Sequence, residues 1–359
     1  MNVSDGMNYA PKGKPQPVVK PGEFVFSVTR LDHGHIYGMC NALIEAGGTL
    51  KYVWDPQPER LKNFIKTYPQ AIAAQSEEQI LQDKETLLVA AAAVTSERGP
   101  LGLRVMECGK DYFTDKAPFT AMAQLNAAKE KVKETGRKYM VYYSERLHVE
   151  GAILAGYMVD AGEIGRVVSV SGFGPHRLMA ANRPKWFFEK EKYGGILCDI
   201  GSHQIEQYLH FAGEEDARIV SSRIGNFNHP EYPGLDDFGD CMITGAKGTA
   251  NYFRVDWFTP DGLRTWGDGR TLIVGTEGFI EIRKYIDLAA PTPGGNHVYL
   301  VNGKGEKHID ATGMTGYPFF GALILDCLNR TENAMTQAHA FKAAELCLLA
   351  QEKAVTIAP

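Results

Sequence analysis

No stretch of this 359-residue sequence approaches the roughly 20 consecutive apolar residues that a bilayer-crossing helix needs, so no such helix is expected. The polar segment Met1 to Glu23 also lacks the apolar core of a secretory signal. Lys12, Lys14 and Lys20 alternate there with Pro11, Pro15, Pro17 and Pro21, which suits an extended arm better than a strand or helix. Cysteine is sparse, and the six residues Cys40, Cys108, Cys198, Cys241, Cys327 and Cys347 form no C-x-x-C pair and no finger spacing. That argues against a disulfide framework and a zinc ribbon; it reads as buried thiols in a reducing compartment, with the cytoplasm as the expected location. Positive charge is not in excess, 38 Lys and Arg standing against 43 Asp and Glu for a net charge of -5. Nucleic-acid binders usually carry a basic patch, so a small molecule is the expected partner, with no nucleic acid and no membrane.

What is present is the composition of a folded chain, 44% hydrophobic and 23% charged, at a length that suits two domains. From Phe24 the pattern becomes regular. Phe24 to Val28 reads as a buried strand, and Ile36, Cys40, Leu43 and Ile44 then recur at helical spacing until Gly47-Gly48. A strand from Leu50 to Trp54 stops at Asp55, Ser76 caps a short helix, and Thr86 to Ala92 is a strand of small residues. Helical spacing over Leu101 to Cys108, a strand starting at Tyr112, a helix from Thr120 to about Glu134 and a strand from Tyr139 to Tyr143 complete the series. Strands alternating with helices predict an α/β fold, a Rossmann-type doubly wound parallel sheet whose ligands bind beyond the carboxyl ends of the strands. The expected layout is an arm over 1–23, a dinucleotide-binding domain over 24–146 and a substrate-binding and oligomerisation domain over 147–359.

The first strand-to-helix turn lacks the G-x-G-x-x-G fingerprint of dinucleotide binding. It reads Thr29-Arg30-Leu31-Asp32-His33-Gly34-His35, with Thr29 and Leu31 in place of the first two glycines and Gly34 in place of the third. The helix N-terminus after it remains an anion site whatever its side chains. Asp55 ends the second strand about 20 residues on, where a carboxylate binds ribose hydroxyls and repels a 2'-phosphate. NAD is therefore the expected cofactor, held by Arg30, Asp32, His33, Gly34, His35, Asp55, Thr95 and Lys116; helix capping is the competing role for Asp55, as a plain turn position is for Thr95. His33 and His35 could share a metal, but the sequence supplies no further ligand, and none is expected.

Two later stretches carry chemistry. Lys116, in Asp115-Lys116-Ala117-Pro118, follows a strand and points toward the ligand end of the sheet. Gly194-Gly195 opens a run in which Asp199 and His203 stand four apart, one above the other on a helix face. Histidine titrates nearest neutrality, and a neighbouring carboxylate fixes its tautomer, so the two form a plausible acid/base pair.

Together these stretches resemble the glucose-fructose oxidoreductase and inositol dehydrogenase (Gfo/Idh/MocA) family, from Phe24 to the C-terminus. The family's Gly-Gly-x-x-x-Asp-x-Gly-x-His motif is complete here as Gly194, Gly195, Asp199, Gly201 and His203, whereas its Glu-Lys-Pro motif is altered to Asp115-Lys116-Ala117. The resemblance implies that Lys116 contacts the nicotinamide ribose and the reacting hydroxyl, that Asp199 orients substrate and that His203 is the acid/base. It also implies sugar or cyclitol substrates and an open sheet covering the nicotinamide end of the cofactor, in a homo-oligomer.

Strand-like runs at Val167 to Phe173, Ile219 to Ile224, Cys241 to Thr244, Thr249 to Trp257, Thr271 to Val274, Phe279 to Arg283 and His297 to Val301, with few helices among them, predict a C-terminal α+β domain with a largely antiparallel sheet. A helix from about His148 to Ala161 begins it, and two near Phe319 to Leu328 and Ala338 to Lys353 end the chain. Arg146, His176 and Trp186 are expected to contact substrate together with Asp199 and His203, since a sugar is held by hydrogen bonds and an aromatic face. Asp236, Asp237 and Asp240 lack a calcium-loop pattern and read as a solvated turn. The expected activity is NAD-dependent oxidation of a secondary hydroxyl of a sugar, glycoside or cyclitol. The alternatives are glycoside cleavage by oxidation and elimination with retained NAD, and a non-catalytic sensor of dinucleotide or sugar.

Overall fold

The computed structural model describes residues 5–290 and 294–357, so the first four residues of the expected arm lie outside the described residues. The chain divides into two compact units, one of residues 7–142 and 317–341, the other of residues 143–316 with the described ends of the chain up to Gly6 and from Lys342.

The first unit alternates β1 (Val25–Thr29), α1 (His35–Glu45), β2 (Thr49–Trp54), α2 (Pro58–Thr67), β3 (Ile72–Ala73), α3 (Glu77–Gln82), β4 (Leu88–Ala91), α4 (Thr95–Glu107), β5 (Asp111–Asp115), α5 (Met122–Thr135) and β6 (Tyr139–Tyr142). All six strands pair in parallel, in the order β3-β2-β1-β4-β5-β6. Central strands of such a sheet are covered on both faces, which is why Leu88 to Ala91 of β4 and Tyr112 and Phe113 of β5 are all buried. Ser76 caps α3, its hydroxyl accepting the N–H of Gln79 at 3.2 Å.

α4 starts at Thr95, six residues before the expected Leu101. Pro100 inside it has no N–H to give the carbonyl of Ser96 four residues back, and the Gln124 side chain donates to that carbonyl instead, at 2.9 Å. The helix therefore tolerates a residue that sequence rules place at a boundary.

The arm is extended and docked along α1, running in the same direction as the helix. Asn41 Nδ2 donates to the carbonyls of Ala10 (3.3 Å) and Pro11 (3.4 Å), the Glu45 carboxylate accepts the Gly13 N–H at 3.0 Å, and the Val18 N–H reaches Ala46 O at 2.9 Å. At the start of α1 the Met7 carbonyl lies so near Gly34 that a Cβ there would come within 2.1 Å of it.

The second unit begins with α6 (Ser144–Leu147), α7 (Glu150–Asp160) and β7 (Val167–Pro175), followed by α8 (Lys190–Tyr193), α9 (Ile196–Asp199) and α10 (Gly201–Ala212). Strands β8 (Ala217–Gly225), β9 (Phe238–Gly245), β10 (Ala250–Asp256), β11 (Arg270–Gly275), β12 (Gly278–Arg283), β13 (His297–Asn302) and β14 (Gly305–Asp310) come next. The chain closes with α11 (Pro318–Asn329), α12 (Gln337–Glu352) and β15 (Val355–Thr356). The nine-stranded sheet has the order β14-β13-β12-β11-β7-β10-β9-β8-β15, antiparallel except for the pairs β7–β10 and β8–β15. α10 lies against β7 and β10 with Ile205, Tyr208 and Leu209 buried.

Candidate active site

In the first unit the turn from β1 to α1 is held by its own backbone. The N–H groups of Arg30 and His33 donate to Trp54 O and Ala92 O, both at 3.1 Å, and that of Leu31 donates to Asp55 Oδ2 at 2.6 Å. Among the described residues the N–H groups of Asp32 and Gly34 carry no hydrogen bond, and they stand at the N-terminus of α1, where a phosphate would be received. Arg30 adopts φ 57, a left-handed conformation that costs a non-glycine residue roughly 1–3 kcal/mol. Its guanidinium is held by Glu77 at 3.0 Å and Glu97 at 3.3 Å and lies 5.5 Å from the Trp54 ring centre. Arg30, expected among the residues that hold the cofactor, is thus engaged by two carboxylates.

Asp55 directly follows β2 and holds two backbone N–H groups. Oδ1 accepts the Gln57 N–H at 2.7 Å just before α2, and Oδ2 accepts that of Leu31, which leaves lone pairs on both oxygens. Burial raises its pKa, against the pull of those two N–H groups. Asp32 is paired with Arg60, and Thr95 is the buried first residue of α4 rather than a turn residue.

At the end of β5 the Asp115 carboxylate is fully buried and receives His35 Nδ1 at 2.9 Å, Arg98 Nη2 at 3.2 Å and the Lys116 N–H at 2.8 Å; His33 Nδ1 lies 3.2 Å away. Burial alone would raise Asp115, but His35, Arg98 and His33 outweigh it and hold the carboxyl well below the usual range. His33 is held neutral, pushed well down by burial and by its neighbour His35. The fold thus brings the two histidines a third group that the sequence left unassigned, with ligand-capable atoms within 4.8 Å of one another. Arg98 lies against that carboxylate, so a cation there would have to displace or sit beside a buried guanidinium. Arg98 also fixes the strand end that carries the buried Lys116, donating to the carbonyls of Lys116, Ala117 (3.0 Å) and Ala93 (2.8 Å). The Lys116–Ala117 peptide is cis.

In the second unit Gly194 and Gly195 have φ 89 and 90, and a Cβ on Gly195 would lie 2.2 Å from the Gln351 side chain. That side chain accepts the Leu197 N–H at 3.0 Å and so caps α9. The helix expected to carry both Asp199 and His203 is in fact two, joined at Ile200. The Ser202 hydroxyl donates to Asp199 O at 2.8 Å, and the His203 N–H goes to Ile200 O, three residues back, at 3.1 Å. His203 is buried on α10, while Asp199 remains partly accessible.

Beside them stand buried groups from distant segments. Arg183 stacks on Phe187 and Trp257, at 4.8 and 4.9 Å from their ring centres, and donates to Asp5 O at 3.0 Å; burial pulls its pKa down to about 10, with Asp5 and Asp199 acting the other way. The His176 ring meets Trp266 at 4.5 Å and Trp257 edge-on at 5.6 Å, and a Cβ on Gly6 would lie 3.0 Å from the Trp266 ring. Glu145 is 1% exposed. Its Oε2 accepts Lys284 Nζ at 2.9 Å and Gln204 Nε2 at 3.0 Å, and its Oε1 lies 3.8 Å from His176 Nε2. Burial would raise Glu145, but Lys284, His203 and His176 outweigh it and hold its pKa at about 2. Glu145, Lys284, Gln204 and Arg98 were missed in the sequence; Glu145 alone had a signal, its place just after a strand end.

Arg146, expected at a substrate, donates through Nε to both oxygens of the fully buried Glu206, at 2.7 and 3.0 Å. One other expectation is corrected. Asp236, Asp237 and Asp240 do not form a solvated turn: all three are buried, Asp236 with Lys190, Asp237 with His229 and the N–H groups of Phe227 and Asn228, and Asp240 with Arg223. Trp186 lies half-buried in the turn Lys185–Phe188, edge-on to Phe187, and its Nε1 is buried without a hydrogen bond.

A profile of the GFO/IDH/MocA C-terminal domain matches residues 154–281. A crystal structure of a candidate oxidoreductase from Erwinia carotovora atroseptica SCRI1043 is 49% identical, with 93% of this chain and 100% of that one covered and a TM-score of 0.90. The chain belongs to the GFO/IDH/MocA family. Within the wider set of relatives, the scyllo-inositol 2-dehydrogenase (NAD(+)) of Bacillus subtilis strain 168 is 27% identical over 72% of each chain. A levoglucosan dehydrogenase crystallised with NADH shares the fold alone, at 17% identity and a TM-score of 0.74 over 92% of this chain and 98% of that one. Among the described residues no helix is long and apolar enough to cross a membrane, and all six cysteines are free thiols.

Proposed function

We propose that this protein is an NAD-dependent oxidoreductase that oxidises a secondary hydroxyl of a sugar or cyclitol. The observation that carries the reading is the intact Gly194-Gly195-x-x-x-Asp199-x-Gly201-x-His203 motif, folded with its histidine buried near the Glu145 carboxylate, in a family whose relatives include a scyllo-inositol 2-dehydrogenase. The first unit suits a dinucleotide: two unbonded N–H groups at the start of α1 can receive a pyrophosphate, and Asp55 retains lone pairs for ribose hydroxyls. When bound, NAD supplies the two-electron acceptor. His203 takes the hydroxyl proton, the Lys116 ammonium stabilises the charge developing on that oxygen, and Asp199 orients the alcohol. The Arg98 and Asp115 contacts hold the Lys116 backbone in one geometry.

The test is reduction of NAD by the purified protein across inositols, D-xylose and levoglucosan, followed at 340 nm. With the polyol that is oxidised, His203→Ala should lower kcat by about 10²–10⁴ with an unchanged Tm, and Lys116→Met should lower it comparably. Full activity in His203→Ala would remove the assigned base.

A further inference from the structure

Glu145 carries a full charge in the interior, and only one of its two oxygens is satisfied. Oε2 holds Lys284 and Gln204, but Oε1 has no hydrogen-bond donor among the described residues. Room for Gln204 to reach Oε2 comes from Gly172 on β7, where a Cβ would stand 2.2 Å from Gln204 Oε1. His176 does not fill the gap: its Nδ1 faces the Gly174 carbonyl at 3.2 Å, and its Nε2 lies 3.8 Å from Glu145 Oε1, beyond hydrogen-bond reach. Trp257, in edge contact with the same imidazole and 5% exposed, has a buried Nε1–H with no acceptor. A buried acceptor and a buried donor left unmatched each cost roughly 1–3 kcal/mol, and native structures rarely keep such groups without a partner.

We propose that Glu145 Oε1 and Trp257 Nε1, on either contact of the His176 ring, form a hydroxyl-binding subsite that determines which polyol is accepted. A polyol supplies both kinds of group, O–H donors that satisfy Glu145 and hydroxyl oxygens that take a hydrogen from Trp257. An aliphatic or deoxy position could satisfy neither, and a site built around a substrate hydroxyl discriminates strongly against its absence. Lys284 keeps the carboxylate anionic in the empty protein, so the acceptor is ready before the ligand arrives. This inference rests on the polyol reading and refines it.

The experiment compares wild type, the double variant Glu145→Gln/Lys284→Met, which removes both buried charges together, and Trp257→Phe, which removes the N–H and keeps an aromatic ring. Kinetics are measured with the inositol, xylose or levoglucosan that is oxidised and with its monodeoxy analogues. Each variant should lose tenfold or more in kcat/KM, mostly through KM, while NAD affinity stays within twofold. Discrimination against one monodeoxy analogue should collapse to within twofold. Unchanged discrimination across all the analogues, or a loss confined to kcat, overturns the subsite and leaves the dehydrogenase standing. Calorimetric titration of the same polyols separates the two ideas. Binding by wild type that weakens tenfold in Trp257→Phe, without any NAD reduction, supports the subsite while refuting the dehydrogenase; the same affinity in both proteins refutes the subsite. Trp257→Phe leaves the Glu145–Lys284 pair intact, so it decides the question even where the double variant does not fold.

Discussion

Glu145 shows how much a single side chain can set. Its pKa in the folded chain is about 2 against an ordinary 4.5. A folded value below the unfolded one means that its stabilisation is complete above pH 4.5 and disappears as the pH falls toward 2. The Tm of wild type should therefore drop more steeply across that window than the Tm of Glu145→Gln/Lys284→Met, as followed by circular dichroism. At Gly195 the constraint is steric. Ala there must adopt φ 90 and meet the Gln351 side chain, so Gly195→Ala should lower stability by about 1–3 kcal/mol in urea titration. Residues of this kind divide by how far they reach. Asp199 and His203 were legible because their spacing is local, whereas Lys284 meets Glu145 from 139 residues away and nothing near it in the chain announces the pairing.

The elements were largely legible, since β4 and β6 carry continuous apolar runs, β1 and β2 are apolar but for single polar residues within them, and the later strands are bounded by turn residues. Those that escaped lack a strong apolar signal: β3 has two residues, β14 is almost wholly exposed and α2 buries only Phe64, while the proline in α4 hid its first turns. β6, at the edge of its sheet, illustrates what replaces a missing neighbour. Gln337 at the start of α12 accepts the Tyr139 N–H through Oε1 at 2.6 Å and donates to the Tyr139 carbonyl through Nε2 at 2.8 Å, as an adjoining strand would. Gln337→Met leaves both buried backbone groups unmatched and should cost roughly 2–4 kcal/mol, measured by urea denaturation. A cost below 0.5 kcal/mol would show that water takes over both groups.

For the molecule as a whole, the nucleotide-type unit is not one continuous piece of sequence. Residues 317–341 return to it, Phe319 and Phe320 meeting Phe113 at 6.1 and 6.2 Å and Arg330 pairing with the buried Asp111. A fragment ending at Tyr142 would expose that aromatic surface and leave Tyr139 uncapped. It should lack near-ultraviolet circular dichroism and bind a hydrophobic dye, and joining 317–341 to it through a flexible linker should restore a cooperative transition.

The arm along α1 also makes the chain readable by a protease. Prolines follow Lys14 and Lys20, so trypsin has one susceptible lysine bond among them, Lys12–Gly13, and the nitrogen of that bond is tied to Glu45. Cutting requires that segment to lift away first. The nicking rate at Lys12 is accordingly a clock for arm release, and Glu45→Gln or Gly34→Ala should make it run faster.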